Sequence, residues 1–229
     1  MADSRLKRQE ISAAVSGLGW RLLLGELVTQ VRTESLAQAA DVAARLSSGI
    51  ESGGHLRIDL RPDRLYLSLR PPEVTFVTAR DMELARAIAT AVTELGLTMD
   101  SGVGAMAYRS VQLIEIGIDA LDIPAIRPFW KAVFGYTDDP GADGTAAAII
   151  DPAGQGPSIW FQQMDAPRPQ RNRIHFDISV PHDEAQRRIE AATAAGGTVI
   201  YDAEAPAFWV LADAEGNEAC ICTWQGRDP

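Results

Sequence analysis

The chain has 229 residues, 46% of them apolar, and a formal net charge of −10, enough for two domains of ordinary size. No apolar run approaches the ~20 residues that span a bilayer, and no apolar core follows Met1–Arg8, so neither a membrane span nor a secretory signal is expected and the location expected is the cytoplasm. The charge is uneven: residues 1–105 carry 12 Lys+Arg against 13 Asp+Glu, and residues 106–229 carry 9 against 18. Neither half offers the basic face that nucleic acid or an anionic membrane needs, and both are excluded as partners.

Ser4 to Ser16 reads as a first helix with Leu6, Ile11, Ala14 and Val15 on one stripe, ended by Gly17 and Gly19. Trp20 to Val31 reads as a strand pair around Gly25-Glu26. A second helix is expected from about Ser35 to Ser48, where Leu36, Ala39, Ala40, Ala43 and Leu46 recur at helical spacing. Arg57 to Arg61 alternates as a strand, Pro62-Asp63 turns, and Arg64 to Leu69 returns. Thr78 caps a third helix reaching about Leu95, with Asp81 at N3 favouring its positive end. Helix, two strands, helix, two strands, helix makes a compact α+β domain over residues 1–100. Residues 101–108, with Gly102 and Gly104, read as a linker.

A second domain is expected over residues 109–226. Its elements are a strand at about Val111 to Ile118, a helix from Ala125 to Phe134 and strands at Thr145 to Ile150 and Ser158 to Gln163. A strand at Arg173 to Val180, a helix from Asp183 to Ala195 and strands at Thr198 to Tyr201, Phe208 to Ala212 and Glu218 to Thr223 follow. That layout is βαβββ twice, with little residue identity between the copies. The fold class is therefore α+β: an αββαββα domain followed by two βαβββ modules.

Gly19-Trp20-Arg21, the strand pair Arg57 to Leu69, and the run Thr78 to Ile88 resemble the pterin-4a-carbinolamine dehydratase family. That family carries His-His-Pro before the first strand of this pair and a further histidine after the second. Here those positions read Gly54, His55 and Leu56, and Pro72 stands at the last. Dehydration of a carbinolamine needs a general acid and a general base, and one histidine of three does not supply the family's arrangement. The resemblance implies this fold as a scaffold and argues against the family's activity. His55, after two glycines, reads as a surface loop residue.

In the second half, Phe129 to Tyr136 and the turn Leu211 to Glu218, with Ala214 where proline is usual, resemble the glyoxalase-like (vicinal oxygen chelate) domain. That superfamily hosts isomerases, epimerases, dioxygenases, resistance enzymes and plain binding proteins. Its metal-dependent members draw ligands from the first, fourth, fifth and eighth strands of a cupped sheet. Carried onto this chain, the resemblance implies Gln112, Gln162, His175 and Cys220 at those positions, with Glu218 beside Cys220.

The residues themselves point the same way. Period-2 alternation in Asn172-Arg173-Ile174-His175-Phe176-Asp177 puts His175 and Asp177 on one face and Ile174, Phe176 and Ile178 on the other. Imidazole and carboxylate on an inner sheet face suit a small molecule or a metal. A buried histidine bonded to Asp177 would account for both residues as well. Only His175 is a clean ligand for a divalent metal; glutamine is weak and cysteine favours softer ions. No cofactor is required by this pattern, and a divalent metal stays open. Catalytic candidates are His175, Glu218 as general base, and Asp177. Substrate-binding candidates are Gln112, Gln162, Arg173, Trp209, Cys220 and His55. Trp130, Trp160 and Trp209 have the spacing of core residues, with Trp209 the one expected nearest a ligand. Cys220 and Cys222 stand too close for an ordinary disulfide and are too few for a zinc finger.

The function expected is a small-molecule enzyme of the lyase or isomerase type. The alternatives are a non-catalytic ligand-binding or resistance protein and a dehydratase of 4a-hydroxytetrahydrobiopterin. A small-molecule partner and a homodimer are expected.

Overall fold

The computed structural model describes residues 6–103, 110–140, 148–167, 175–180, 182–223 and 225–226. The chain divides into two units, Met1–Leu113 and Ile114–Pro229.

The first unit runs α1 (Arg8–Ser16), β1 (Arg21–Leu23), β2 (Glu26–Arg32), α2 (Leu36–Gly49), β3 (Leu56–Arg61), β4 (Arg64–Leu69) and α3 (Ala79–Glu94). Its four strands form an antiparallel sheet in the order β1-β2-β4-β3. The β1–β2 hairpin turns through Leu24 (φ 47°) and Gly25 (φ 82°). A side chain at Gly25 would strike the carbonyl of Thr75 at 2.3 Å, so backbone approach as well as conformation requires glycine there. Alternation sends Leu65, Leu67 and Leu69 into a core shared with Ile11, Val15, Leu46, Ala85 and Ile88. Trp20 is fully buried in it, and its indole N–H donates to the Ala85 carbonyl at 3.1 Å. Ser35 caps α2 by accepting the Gln38 N–H, and Thr78 and Asp81 form a capping box on α3.

The second unit is β5 (Glu115–Ala120), α4 (Ile123–Phe134), β6 (Thr137–Asp138), β7 (Ile149–Ile150), β8 (Ser158–Gln163), β9 (Phe176–Ser179), α5 (Ala185–Ala194), β10 (Thr198–Tyr201), β11 (Phe208–Ala212) and β12 (Glu218–Cys222). These elements make two four-stranded sheets, β5-β8-β7-β6 and β9-β12-β11-β10. In each, the first strand lies parallel to the last, and the remaining pairs are antiparallel. The duplication is thus one of topology. Ile116, Ile118, Ile159, Phe161, Leu211, Ala219 and Ile221 face one core with Ile126, Phe129, Trp130 and Val133 of α4 and Ile189 and Ala192 of α5. Trp130, Phe134 and Phe176 interlock, with ring centroids 5.5 to 5.8 Å apart.

The turn from β11 to β12 joins the modules. Asp213 is buried and accepts the Trp130 indole N–H at 2.9 Å, the Asn217 side-chain N–H at 2.8 Å and the backbone N–H groups of Glu215 and Asn217. Glu215 accepts the N–H groups of Leu121 and Asp122 at the start of α4, satisfying backbone donors that a helix N-terminus leaves open.

The structure departs from expectation in several elements. β5 begins at Glu115 rather than Val111, because the Val111 N–H is engaged by the Ser101 carbonyl and the apolar phase that packs is Ile116, Ile118 and Ala120. The two-residue strand β6 was not foreseen, since so short a segment shows no alternation. Of the strand expected at Thr145 to Ile150 the structure describes Ile149–Ile150; residues 141–147 lie outside the described residues. Among the described residues no helix is long and apolar enough to cross a membrane.

Candidate functional site

β9 is an edge strand paired in parallel with β12, which sets Asp177 beside Cys220 and Ser179 beside Cys222. Phe176 and Ile178 pack toward the helices with Ala219 and Ile221. Asp177 and Cys220 therefore occupy the opposite face, as does His175, which immediately precedes the strand. His175 Nδ1 lies 3.3 Å from an Asp177 carboxylate oxygen and 3.6 Å from Cys220 Sγ. One donor atom from each of the three residues falls within 4.8 Å of the others. Glu218, half-buried, is two residues before Cys220 and shares its face.

The alternative account, a buried histidine bonded to Asp177, does not describe the pair. Their side chains are 56% and 61% exposed, because α4 and α5 pack on the opposite face, against Phe176 and Ile178. The cluster is an open surface site whose floor is Cys220, only 6% exposed. Burial first, and then the neighbouring Asp177 carboxylate, pushes the Cys220 thiol up to about 12, so without a metal it stays protonated at neutral pH. Imidazole nitrogen, carboxylate oxygen and sulfur fit a zinc-like divalent ion, with three protein donors and a position left for a ligand. They fit magnesium or calcium poorly, since those ions take oxygen.

Other candidates are placed elsewhere. Gln112 precedes β5 and falls in the first unit, so it is not on the strand expected to carry it. Gln162 lies on β8 in the other sheet, donating to the Gln163 carbonyl at 3.2 Å. Trp209 pairs with Ile221 on the helix-facing side of β11 and packs on the core, which corrects its expected approach to a ligand: register, not proximity to the last strand, sets its face. Arg173 lies outside the described residues.

His55 is also corrected. It is 15% exposed rather than a free loop residue, and its Nδ1–H donates to Asp81 at 2.7 Å. Asp81 is fully buried and takes two further bonds from Thr78, backbone N–H and hydroxyl, both at 2.7 Å. The Gly53-Gly54 turn and the bond from the Arg70 N–H to the His55 carbonyl deliver the ring to that partner. Nearby in the same row of the sheet, Glu26 binds Arg70 at 3.2 Å and lies 3.7 Å from Arg57. Trp160, taken for a core residue, is 40% exposed on the open face of β8.

Residues 115–222 match the family model of the glyoxalase-like domain. The second unit therefore carries a glyoxalase-like domain. No curated protein matches the chain. Among solved structures, a glyoxalase/bleomycin resistance protein/dioxygenase family enzyme from Burkholderia phytofirmans PsJN is 20% identical, covering 49% of this chain and 98% of its own, with a TM-score of 0.41. A glyoxalase-related enzyme from Fulvimarina pelagi is 19% identical, covering 51% and 88%, with a TM-score of 0.38. A hypothetical protein from S. aureus is 14% identical, covering 50% and 95%, with a TM-score of 0.38.

Proposed function

We propose that the second unit is a small-molecule enzyme of the lyase or isomerase type, working on the open face around His175. The observation that carries this reading is the convergence of His175, Asp177 and Cys220 within 4.8 Å. His175, Asp177 and Cys220 would hold a divalent ion, and Glu218 stands on the same face as the proton acceptor. When bound, the ion supplies Lewis-acid polarisation of a substrate oxygen. Glu218 takes a proton from carbon next to the polarised group, the usual work of a positioned carboxylate base. The exposure of His175 and Asp177 leaves the face accessible to a ligand. Deuterium incorporation from D2O into enolisable carbonyl compounds tests the reading. Incorporation in wild type, reduced on the order of 100-fold in Glu218→Gln and in His175→Ala, is expected; exchange that survives both substitutions contradicts it.

A second reading concerns the first unit: dehydration of a 4a-hydroxytetrahydropterin, favoured by the His55–Asp81 pair at 2.7 Å. A buried carboxylate that fixes the imidazole tautomer leaves Nε2 for proton transfer. Turnover above the uncatalysed rate that disappears in His55→Ala would support it. Turnover unchanged in that variant would remove it.

A further inference from the structure

Cys220 and Cys222 form an internal comparison. Both are free thiols on β12, 6% and 4% exposed, and as residues two apart on one strand they share a face. Register sets Cys220 beside Asp177 and Cys222 beside Ser179. Among the described residues, the donor cluster takes in Cys220 and not Cys222. His175 Nδ1 stands 3.6 Å from the Cys220 sulfur.

Peroxide oxidises a thiolate and leaves a thiol nearly untouched. Without an ion, burial and then the Asp177 carboxylate push the Cys220 thiol up to about 12. Coordination to a divalent ion requires the thiolate, so a loaded centre keeps Cys220 in the form that peroxide attacks. His175 and Asp177 are 56% and 61% exposed, which leaves the approach open to a molecule as small as hydrogen peroxide. We propose that the centre is a peroxide-sensitive switch, in which metal loading arms Cys220 and oxidation of Cys220 to sulfenic acid releases the ion. This regulation rests on the reading of His175, Asp177 and Cys220 as a metal centre. In the step, the Cys220 thiolate attacks one oxygen of hydrogen peroxide. An S–O bond forms, the O–O bond breaks and hydroxide leaves, so sulfur is oxidised as peroxide is reduced. The neutral sulfenic acid is a poor ligand beside a thiolate, and His175 and Asp177 remain as the only two donors of the cluster. Cys222 does not resolve the product. Neighbours along one strand face are about 6.6 Å apart, and a disulfide needs Cβ atoms about 3.5–4.5 Å apart. The reset therefore falls to a small external thiol. One molecule condenses with the sulfenic acid to give a mixed disulfide and water. A second displaces the Cys220 thiol and leaves as the external disulfide.

The test uses the full chain, reduced and loaded with Zn2+, an ion with no redox chemistry of its own. Loaded and metal-free protein are treated with hydrogen peroxide and dimedone, which traps sulfenic acid. Peptide mass spectrometry reads the adduct, and a colorimetric zinc indicator reads released metal. Cys220 labelling is expected to be at least about 10-fold greater in loaded than in metal-free protein, and greater than Cys222 labelling in the same molecules. Zinc release should match the labelling, and dithiothreitol after peroxide alone should restore zinc binding. His175→Ala, mixed with the same zinc, should leave Cys220 as unreactive as in metal-free wild type. Zinc retained by oxidised protein, equal labelling with and without zinc, or Cys222 labelled as fast as Cys220 would each overturn the switch while leaving the metal centre standing. Failure to bind zinc before peroxide is added would remove both.

Discussion

The carboxylate of Asp213 accepts four hydrogen bonds: from the Trp130 indole, the Asn217 amide and the N–H groups of Glu215 and Asn217. All four partners donate, so removing the carboxylate strands donors in a buried turn. Asp213→Ala should cost about 3 kcal/mol in denaturant unfolding. Asp213→Asn should not rescue it, because the amide N–H2 would face the indole or the Asn217 amide, donor against donor. Full stability in the Asn variant would show that the turn tolerates a neutral partner. At Cys220 the relevant quantity is reactivity. With its thiol pushed up to about 12 by burial and by Asp177, alkylation by iodoacetamide at pH 8 should be on the order of 100-fold slower in the native chain than in urea. Comparable rates by mass spectrometry would mean that the thiol is neither buried nor flanked by negative charge as described.

At the scale of elements, close approaches decide tolerance. Gly197 sits where a Cβ would come within 2.3 Å of the Phe129 ring, between α5 and β10. Gly197→Ala should destabilise by about 1–3 kcal/mol through overpacking, read by thermal unfolding. The connection from β7 to β8 is built on Asp151, which accepts the N–H groups of Ala153, Gln155 and Gly156 at 2.8 to 2.9 Å. Partial burial opposes its ionisation, and the three N–H donors outweigh that, so the carboxyl is held below its ordinary value of 3.8. A depressed folded-state pKa contributes stability that is present above 3.8 and is lost as pH falls through the lower, folded value. Asp151→Asn should flatten the acid limb of the stability curve below pH 4; an unchanged limb would contradict the assignment.

Many of these elements were legible in the sequence, for reasons tied to particular residues. The Thr78–Asp81 box opening α3, the alternation of Arg64 to Leu69 and the helical stripe of α4 are local signals, and local signals survive folding. What escaped were facts set by distant partners. His55 looked exposed because Asp81 lies 26 residues along the chain. Trp160 looked like core because spacing shows which residues share a strand face but not which face the helices cover. His175 and Asp177 were placed on one face by alternation, yet their exposure depended on where α4 and α5 pack. Asp177 as a third donor followed from register with Cys220, which the sequence pattern alone does not set.

Each of the two units has its own core, with seventeen buried apolar residues clustered in the first and sixteen in the second among the described residues. The acidic excess of the second half, 9 Lys+Arg against 18 Asp+Glu, keeps its net charge well away from zero. We propose a homodimer in solution; a monomer mass by light scattering would contradict it. The centre formed by His175, Asp177 and Cys220 is the claim on which the functional reading depends, and cobalt reaches it directly. Titrating reduced, chelator-free protein with Co2+ should give one equivalent bound, with a thiolate-to-cobalt absorption band in the near ultraviolet. The band should vanish in Cys220→Ala, and the bound equivalent should be lost in His175→Ala. Absence of the band, or binding indifferent to both substitutions, would contradict the claim.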